Sequence, residues 1–392
     1  MIAVSTSPNK GAAMLEIIIG IAMAIMRRCA GQLPQKEWRF SVAIFRLFGL
    51  LLILFPVISY AAQHGVVVLQ YHHVGDDTPR VTSVTAQELE AHFAFLQEND
   101  FNVVSLADAQ QLVAQDKVPD KTVAITFDDS WRNIYSNGRA VFEKYRYPFT
   151  IFVNPHLMEE TPRLYMSWQQ LNALTEFGAT IANHSEYHAH MTWREEGETE
   201  TQWLARQQQA IVQAQAKIDA ELGSAQAKYF AYPFGEYNPE LAALLKELGY
   251  LAFGQHSGPW SRYVPQTEIP RFPASGHYAN LTTLKTKLLS LALPARRVAP
   301  TSMVQSSDTE RLTIELQVEP SDDVQWQQLG CFYQGERLQP ELDGERLTLS
   351  IDGLPVGRSR VNCTAPSKQL QGRFYWYSVP LVRPDAAGRW PD

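Results

Sequence analysis

Two stretches of the chain carry residues that can do chemistry together. Thr122 to Asp129, T-V-A-I-T-F-D-D, is an apolar β-type run that ends in two adjacent carboxylates, Asp128 and Asp129. Such a run reads as a buried strand. Two acids at its end repel each other and lose hydration unless a cation or a proton compensates them. Ala179 to His190, A-T-I-A-N-H-S-E-Y-H-A-H, is a second β-type run, and it delivers His184 and His188 with three residues between them. On a helical turn that spacing places both imidazoles on one side, where they can grip one metal ion. One carboxylate with two histidines leaves coordination positions open for water and substrate, which is a catalytic rather than a sealed structural arrangement. A lone Asp-Asp also fits a helix cap or turn, and a lone His-x-x-x-His a surface pair. Their joint occurrence at two strand ends is what speaks for a shared cation.

T-F-D-D followed by H-S-x-x-H resembles the polysaccharide deacetylase family, also called NodB-homology or carbohydrate esterase family 4, over Val66 to Leu291. The resemblance implies a distorted (β/α) barrel with Asp128 as catalytic base and Asp129, His184 and His188 as ligands of a divalent metal. Zinc suits that donor set first, and cobalt, nickel or iron also fit. Tyr232, Pro233, Phe234 and Gly235 resemble the family's third motif, which lines the substrate cleft. The arginine usual two residues before that proline is Ala231 here. Arg271, in I-P-R-F-P, is the candidate to bring the missing charge to Asp128 from another direction. A surface ion pair is the alternative. Of the fourth motif only Trp260 is present, assigned with the cleft residues. His277 is the candidate general acid or else a solvated loop histidine, with His190 and His256 as alternatives for the acid. Tyr71-His72-His73-Val74 resembles the start of the subgroup acting on β-1,6-linked N-acetylglucosamine polymers, and His72 and His73 are expected to brace the barrel mouth by hydrogen bonds.

The elements that must position these residues alternate. Strands are expected over Gly65–Gln70, Phe101–Val104, Phe149–Val153, Tyr229–Tyr232 and Tyr250–Gly254. Helices are expected from the capping box at Thr85 to Asn99, from Ser105 to Gln115, from Arg139 to Tyr145, over Trp168–Phe177 capped by Ser167, over Thr199–Leu222, over Pro239–Leu248 and over Leu281–Leu291. Strand-helix alternation argues an α/β fold with a parallel sheet, and in such barrels chemistry sits at the carboxyl ends of strands. After Pro300 short alternating runs such as Leu312–Val318 and Arg346–Ile351 read as a small all-β module. Its Phe374, Tyr375, Trp376 and Tyr377 either bind carbohydrate or pack the module on the barrel.

The expected organisation is therefore a leader over residues 1–62, a barrel over 63–297 and a β-rich accessory module over 298–392. Arg39 and Arg46 precede the apolar run Leu47–Ala62, the parts of a secretory signal peptide, or of an uncleaved anchor touching the inner membrane. Either way the catalytic part is expected to be exported, to the periplasm or beyond. The long leader suggests that translation begins at Met26. With 45% hydrophobic and 19% charged residues the chain is globular, and a net charge of -7 without a basic tract argues against nucleic acid as partner. Of three cysteines, Cys29 falls in the leader, while Cys331 and Cys363 either pair in an oxidising compartment or remain thiols.

The function expected is metal-dependent removal of acetyl groups from an N-acetylglucosamine polymer. An amide is a poor electrophile and neutral water a poor nucleophile, and a divalent ion answers both deficits. The rivals are an O-acetyl esterase acting on xylan or another acetylated glycan, and a carbohydrate-binding protein that has lost turnover. A glycoside hydrolase fits less well, since its two carboxylates flank a scissile bond and are not neighbours ending one strand.

Overall fold

The structure is a computed structural model that describes residues 64–391. The expected leader, the expected start at Met26 and Cys29 lie outside the described residues. No helix among the described residues is long and apolar enough to cross a membrane.

The barrel is built from β1 (Val67–Tyr71), β2 (Asn102–Val103), β3 (Thr122–Phe127), β4 (Phe149–Val153), β5 (Ala179–Asn183), β6 (Tyr229–Ala231), β7 (Leu251–Phe253) and β8 (Phe272–Pro273). All pair in parallel, in the order β8-β1-β3-β4-β5-β6-β7, with β2 also on β3. Residues leading into β8 close the ring. Ile269 N–H donates to Ala252 O at 2.9 Å, Arg271 N–H donates to His256 O at 2.9 Å, and Phe272 pairs with Leu69 of β1. β3 is buried at every position. A parallel strand covered on both faces has no solvent side to alternate with, which explains its unbroken apolar run.

Helices cover the outside where their caps predict. α1 (Ala86–Glu98) opens with the reciprocal Thr85/Glu88 capping box, and α2 (Leu106–Ala114) is capped by Ser105. Leu89, Phe93 and Leu96 of α1 are fully buried, each stabilising by about 1.5–3 kcal/mol. α3 spans Arg132–Tyr145, seven residues earlier than the Arg139 start expected. Its first half is polar because Asn133 and Asn137 bond the Val74 backbone, while Ile134, Gly138 and Phe142 face the core. Short α4 (Pro155–Glu160) follows β4, and α5 (Trp168–Thr175) and α6 (Glu200–Glu221) open with capping boxes at Ser167 and Thr199. α7 (Pro239–Glu247) and α8 (Leu281–Leu288) complete the set.

Pairing then becomes antiparallel, apart from the short first strand. The module contains β9 (Leu291–Ala292), β10 (Ala295–Ala299), β11 (Arg311–Val318), β12 (Gly330–Tyr333), β13 (Glu336–Leu338), β14 (Glu341–Asp343), β15 (Arg346–Asp352), β16 (Gly357–Pro366) and β17 (Phe374–Arg383). They form sheets ordered β9-β17-β16-β12-β13 and β10-β11-β15-β14. Because β9 and β10 pair within these sheets, the module's strand system starts at Leu291 rather than at residue 298. Ile314, Leu316, Leu347, Leu349, Val361 and Leu381 fill the space between the sheets. Cys331 lies opposite Cys363 in the β12–β16 pair, and the two form a disulfide. The module is bonded to the barrel. Trp376 meets Phe272 edge-on at 5.4 Å, Arg373 donates to Leu289 O at 2.7 Å, and Trp390 donates to Glu236 Oε1 at 2.6 Å. Tyr375 is core, so Trp376 carries the joint and Phe374 stays exposed.

Candidate active site

β3 ends at Phe127, and Asp129 and Ser130 then take left-handed backbone with φ of 69° and 55°. Two successive residues there turn the chain sharply, and Asp tolerates that region better than most. The turn sends the two carboxylates to different partners. Asp128, fully buried, receives Arg271 Nη1 on Oδ1 at 2.6 Å, and Nη2 on Oδ2 at 2.8 Å. Gln70 Nε2, from the end of β1, donates to Oδ2 at 2.7 Å. Burial pushes the Asp128 carboxyl up, and the charges around it, the Arg271 guanidinium first, more than offset this and hold it below the ordinary range.

Asp129 turns to the histidines. Its Oδ1 lies 3.1 Å from His184 Nε2 and 3.3 Å from His188 Nε2. The histidines do not sit on the helical turn their spacing suggested. The chain leaves β5 in a loop with Ser185 at φ 65° and His188 at φ 50°. Asn183 Oδ1 accepts from Ser185 N–H at 2.8 Å, while Asn154 Nδ2 donates to the His184 and Ser185 carbonyls. These side-chain bonds do the positioning that helical periodicity was expected to do.

The three residues fit a metal. One donor atom from each of Asp129, His184 and His188 lies within 4.8 Å of the other two. Asp129 Oδ1 and His184 Nε2 are buried, and neither has an aligned hydrogen-bond partner despite their closeness. Such orphaned lone pairs cost free energy unless something electropositive lies between them. His184 Nδ1 is 2.7 Å from the Ala231 carbonyl, which takes the ring's proton and leaves Nε2 bare. Trp131 Nε1 donates to Asp129 Oδ2 at 2.9 Å, fixing the carboxylate with Oδ1 toward the histidines. Burial pushes Asp129 up, but His184 and His188 hold it well below its usual value. Burial lowers His188, and Asp129 reverses this and raises it.

Arg271 fills the role foreseen for it, though as a fully buried pair rather than a surface one. His277 does not join the site. It is exposed, on a single turn over Gly276–Ala279, and its ring contact is with Tyr278. Trp260 also lies elsewhere, buried beside Val66 at the opening end of β1, away from the strands' carboxyl ends. Tyr232 is core, its hydroxyl donating to Thr267 O at 3.0 Å, and Pro233 is buried. Phe234, at φ 56°, turns its ring to His188 at 4.6 Å and stacks on His190 at 3.9 Å. Gly235 at φ 71° admits no side chain, since a Cβ would lie 2.6 Å from Gln255.

His190 is held by Glu236 at 2.7 Å and sandwiched between Phe234 and Trp193. His256 is pushed down to about 3, by burial first and then by Arg297, Arg360 and Arg271. His73 braces as expected, against Asn133 at 3.3 Å and over Trp131 at 4.4 Å. His72 does not brace. Its Nε2 stands 3.8 Å from Asp128 Oδ2, too far for a hydrogen bond, and it keeps 18% side-chain exposure. Its place at the end of β1 was visible in the sequence, whereas the approach to Asp128 required the β1–β3 pairing. Trp131 belongs to neither motif, and its place two residues past Asp129 is the one sequence signal for its contact with that acid.

The fold is a distorted (β/α) barrel of the deacetylase type, and its site holds an Asp-His-His cluster that could take a cation. Residues 115–253 match the family described as "Polysaccharide deacetylase". The chain carries a domain of that family. It is 28% identical over 191 residues to the Bacillus subtilis polysaccharide deacetylase homologue YxkH, covering 47% of this chain and 61% of that one. It is 24% identical over 171 residues to the poly-β-1,6-N-acetyl-D-glucosamine N-deacetylase of Staphylococcus aureus (strain MSSA476), covering 43% of this chain and 59% of the other. The chain thus spans about six-tenths of the length of these two relatives. Among solved structures, Streptococcus pyogenes deacetylase PplD in complex with acetate superposes with TM-score 0.51 at 18% identity, over 57% of this chain and 98% of that one. The last likeness concerns the fold alone.

Proposed function

We propose that the protein is a metal-dependent N-deacetylase of an N-acetylhexosamine polymer outside the cytoplasm. The observation that carries this reading is the convergence of Asp129, His184 and His188 on one point, with two of their donor atoms otherwise orphaned. Asp129, His184 and His188 would hold a divalent ion there, whose Lewis acidity would polarise the acetyl carbonyl and ease ionisation of water. Asp128 is the base. Three donors occupy part of its acceptor capacity, and an acceptor position on Oδ1 remains for the proton of the attacking water. His72 is the acid that protonates the departing amine, since it is part-exposed and lies beside Asp128. Catalytic hydrogen bonds are often long before substrate binds, so 3.8 Å does not rule it out.

The relative from Staphylococcus aureus bears the name of a poly-β-1,6-N-acetyl-D-glucosamine deacetylase, which supports an N-acetylglucosamine polymer as substrate. The Cys331–Cys363 disulfide supports an oxidising compartment. With Arg271 on Asp128, the absent arginine at Ala231 no longer argues for a binding protein without turnover. The test is acetate release from N-acetylglucosamine oligomers and from acetylated xylan, with chelator and with added Zn²⁺ or Co²⁺. Metal-dependent release from the oligomers is expected. Release from xylan alone replaces the reading by an esterase, and release from neither replaces it by a binding protein.

A further inference from the structure

Beside the metal site lies a second space that the chemistry above does not use. A groove of about 740 Å³ runs between the barrel loop at Phe234 and the outer face of β16 and β12. That volume lies within the roughly 300–1,000 Å³ of small-molecule sites. It adjoins the cation site through Phe234, whose ring touches His188. The module supplies its far wall by strand alternation. Val361 and Cys363 point into the module's core, so Arg358, Arg360 and Asn362 point out, and Phe332 stands opposite Asn362.

The charge of this wall is one-sided. No Asp or Glu lines the groove, whereas two arginines do. Arg358 reaches Glu236 at 3.3 Å, and Glu236 is fully buried. Arg360, only partly exposed, meets the Tyr278 hydroxyl at 3.5 Å and has no carboxylate partner among the described residues. Lys287 lies over the same Tyr278 ring at 3.6 Å, and burial with the charge of Arg360 pushes it down to about 7. A half-buried guanidinium without an acid is costly unless a ligand supplies one. The 39%-exposed Phe332 flanks the charges and offers a ring face that suits the C–H face of a pyranose, whereas the Phe234 ring is taken up by His190 and Arg358.

We propose that this groove is a subsite for the neighbouring units of the polymer chain whose acetyl group enters the metal site, and that Arg360 selects chains bearing carboxylates. The proposal rests on the deacetylase reading for the identity of that chain. It also implies that a stretch already converted to free amines, being cationic, is repelled.

Equilibrium binding to the full chain under chelator separates the proposal from turnover. The probes are a hexasaccharide alternating N-acetylglucosamine with glucuronate, the neutral N-acetylglucosamine hexamer and the glucosamine hexamer. The acidic probe is expected to bind about tenfold tighter than the neutral one, the worth of one charge-assisted hydrogen bond, with the amine probe weakest. Arg360→Gln removes that preference, Arg360→Lys keeps part of it, and Phe332→Ala weakens the acidic and neutral probes alike by about fivefold. Equal affinity for the acidic and neutral probes in the unaltered protein overturns the proposal. So does a preference that survives Arg360→Gln. Acetate release without the preference overturns the groove alone, and the preference without acetate release overturns the metal-site reading alone.

Discussion

Arg271 closes a two-pronged grip on Asp128 across 143 residues of sequence, with both side chains fully buried. Its Nε is spent on the Gly254 carbonyl at 2.9 Å, and its Nη1 also meets Thr126 at 3.2 Å, so the fork cannot swing away. Removing one partner of a buried pair leaves an uncompensated charge, which costs about 3–5 kcal/mol. Arg271→Gln is therefore expected to lower the unfolding free energy by that amount, read from urea titration as a lower midpoint at unchanged slope. The same change lets the Asp128 pKa rise, because Arg271 is the largest influence holding it down against burial. A base that protonates at higher pH loses activity sooner on acidification. The acid limb of the kcat/KM profile should move to higher pH, and an unmoved limb excludes Asp128 as the base.

The Asp129–His188 contact gives opposite pH slopes with and without metal. In the metal-free protein Asp129 is depressed, so its contribution is present above about 3.9 and lost as pH falls through the folded value. His188 is raised, so its contribution is full below about 6.5 and lost as pH rises through the folded value. Together they stabilise the metal-free chain most between those limits. Metal binding requires neutral imidazole, so added Zn²⁺ stabilises more as pH rises. Thermal unfolding with Zn²⁺ and with chelator, across about pH 5 to 8, should show the difference in Tm widening upward. A constant difference contradicts the shared-cation site.

His72 and His277 separate by position. His72 borders Asp128, whereas His277 is exposed on a surface turn. His72→Asn is expected to cut kcat by about 10²–10⁴, the usual worth of a positioned acid, with bound zinc unchanged by metal analysis. His277→Ala should leave kcat alone. The reverse outcome would return the acid to His277 and require a loop movement.

How far the sequence reached depended on whether a signal was local. The Thr85 capping box involves residues three apart, and its helix begins where the box stands, as do the helices expected from Ser167 and Thr199, which the structure also gives capping boxes. β4 matches its expected bounds, because a strand buried on both faces has an unbroken apolar run with sharp ends. The Asp129, His184 and His188 cluster was legible from two motifs. Residues joined through the fold were harder. His72 approaches Asp128 only once β1 lies beside β3, and Trp260 looked like a cleft residue until its pairing with Val66 placed it at the opposite end. The polar first half of α3 hid a helix because its asparagines serve the Val74 loop and not the helix itself.

Trp131 offers the sharpest test of how the cation site is held. Its indole N–H donates to Asp129 Oδ2 at 2.9 Å, while its ring stacks on Tyr165 at 4.6 Å and packs tilted against His73 at 4.4 Å. The stacking fixes the indole, the indole fixes the carboxylate, and Oδ1 is left facing His184 and His188. Outer partners of this kind are worth about 10–100-fold in metal affinity or activity. Trp131→Phe keeps a ring on Tyr165 and deletes the donor. Zinc affinity, read by competition with a chelating dye, should fall by that factor while the melting temperature of the metal-free protein barely moves. Affinity unchanged in Trp131→Phe would mean that the turn at Asp129 and Ser130 aims the carboxylate unaided.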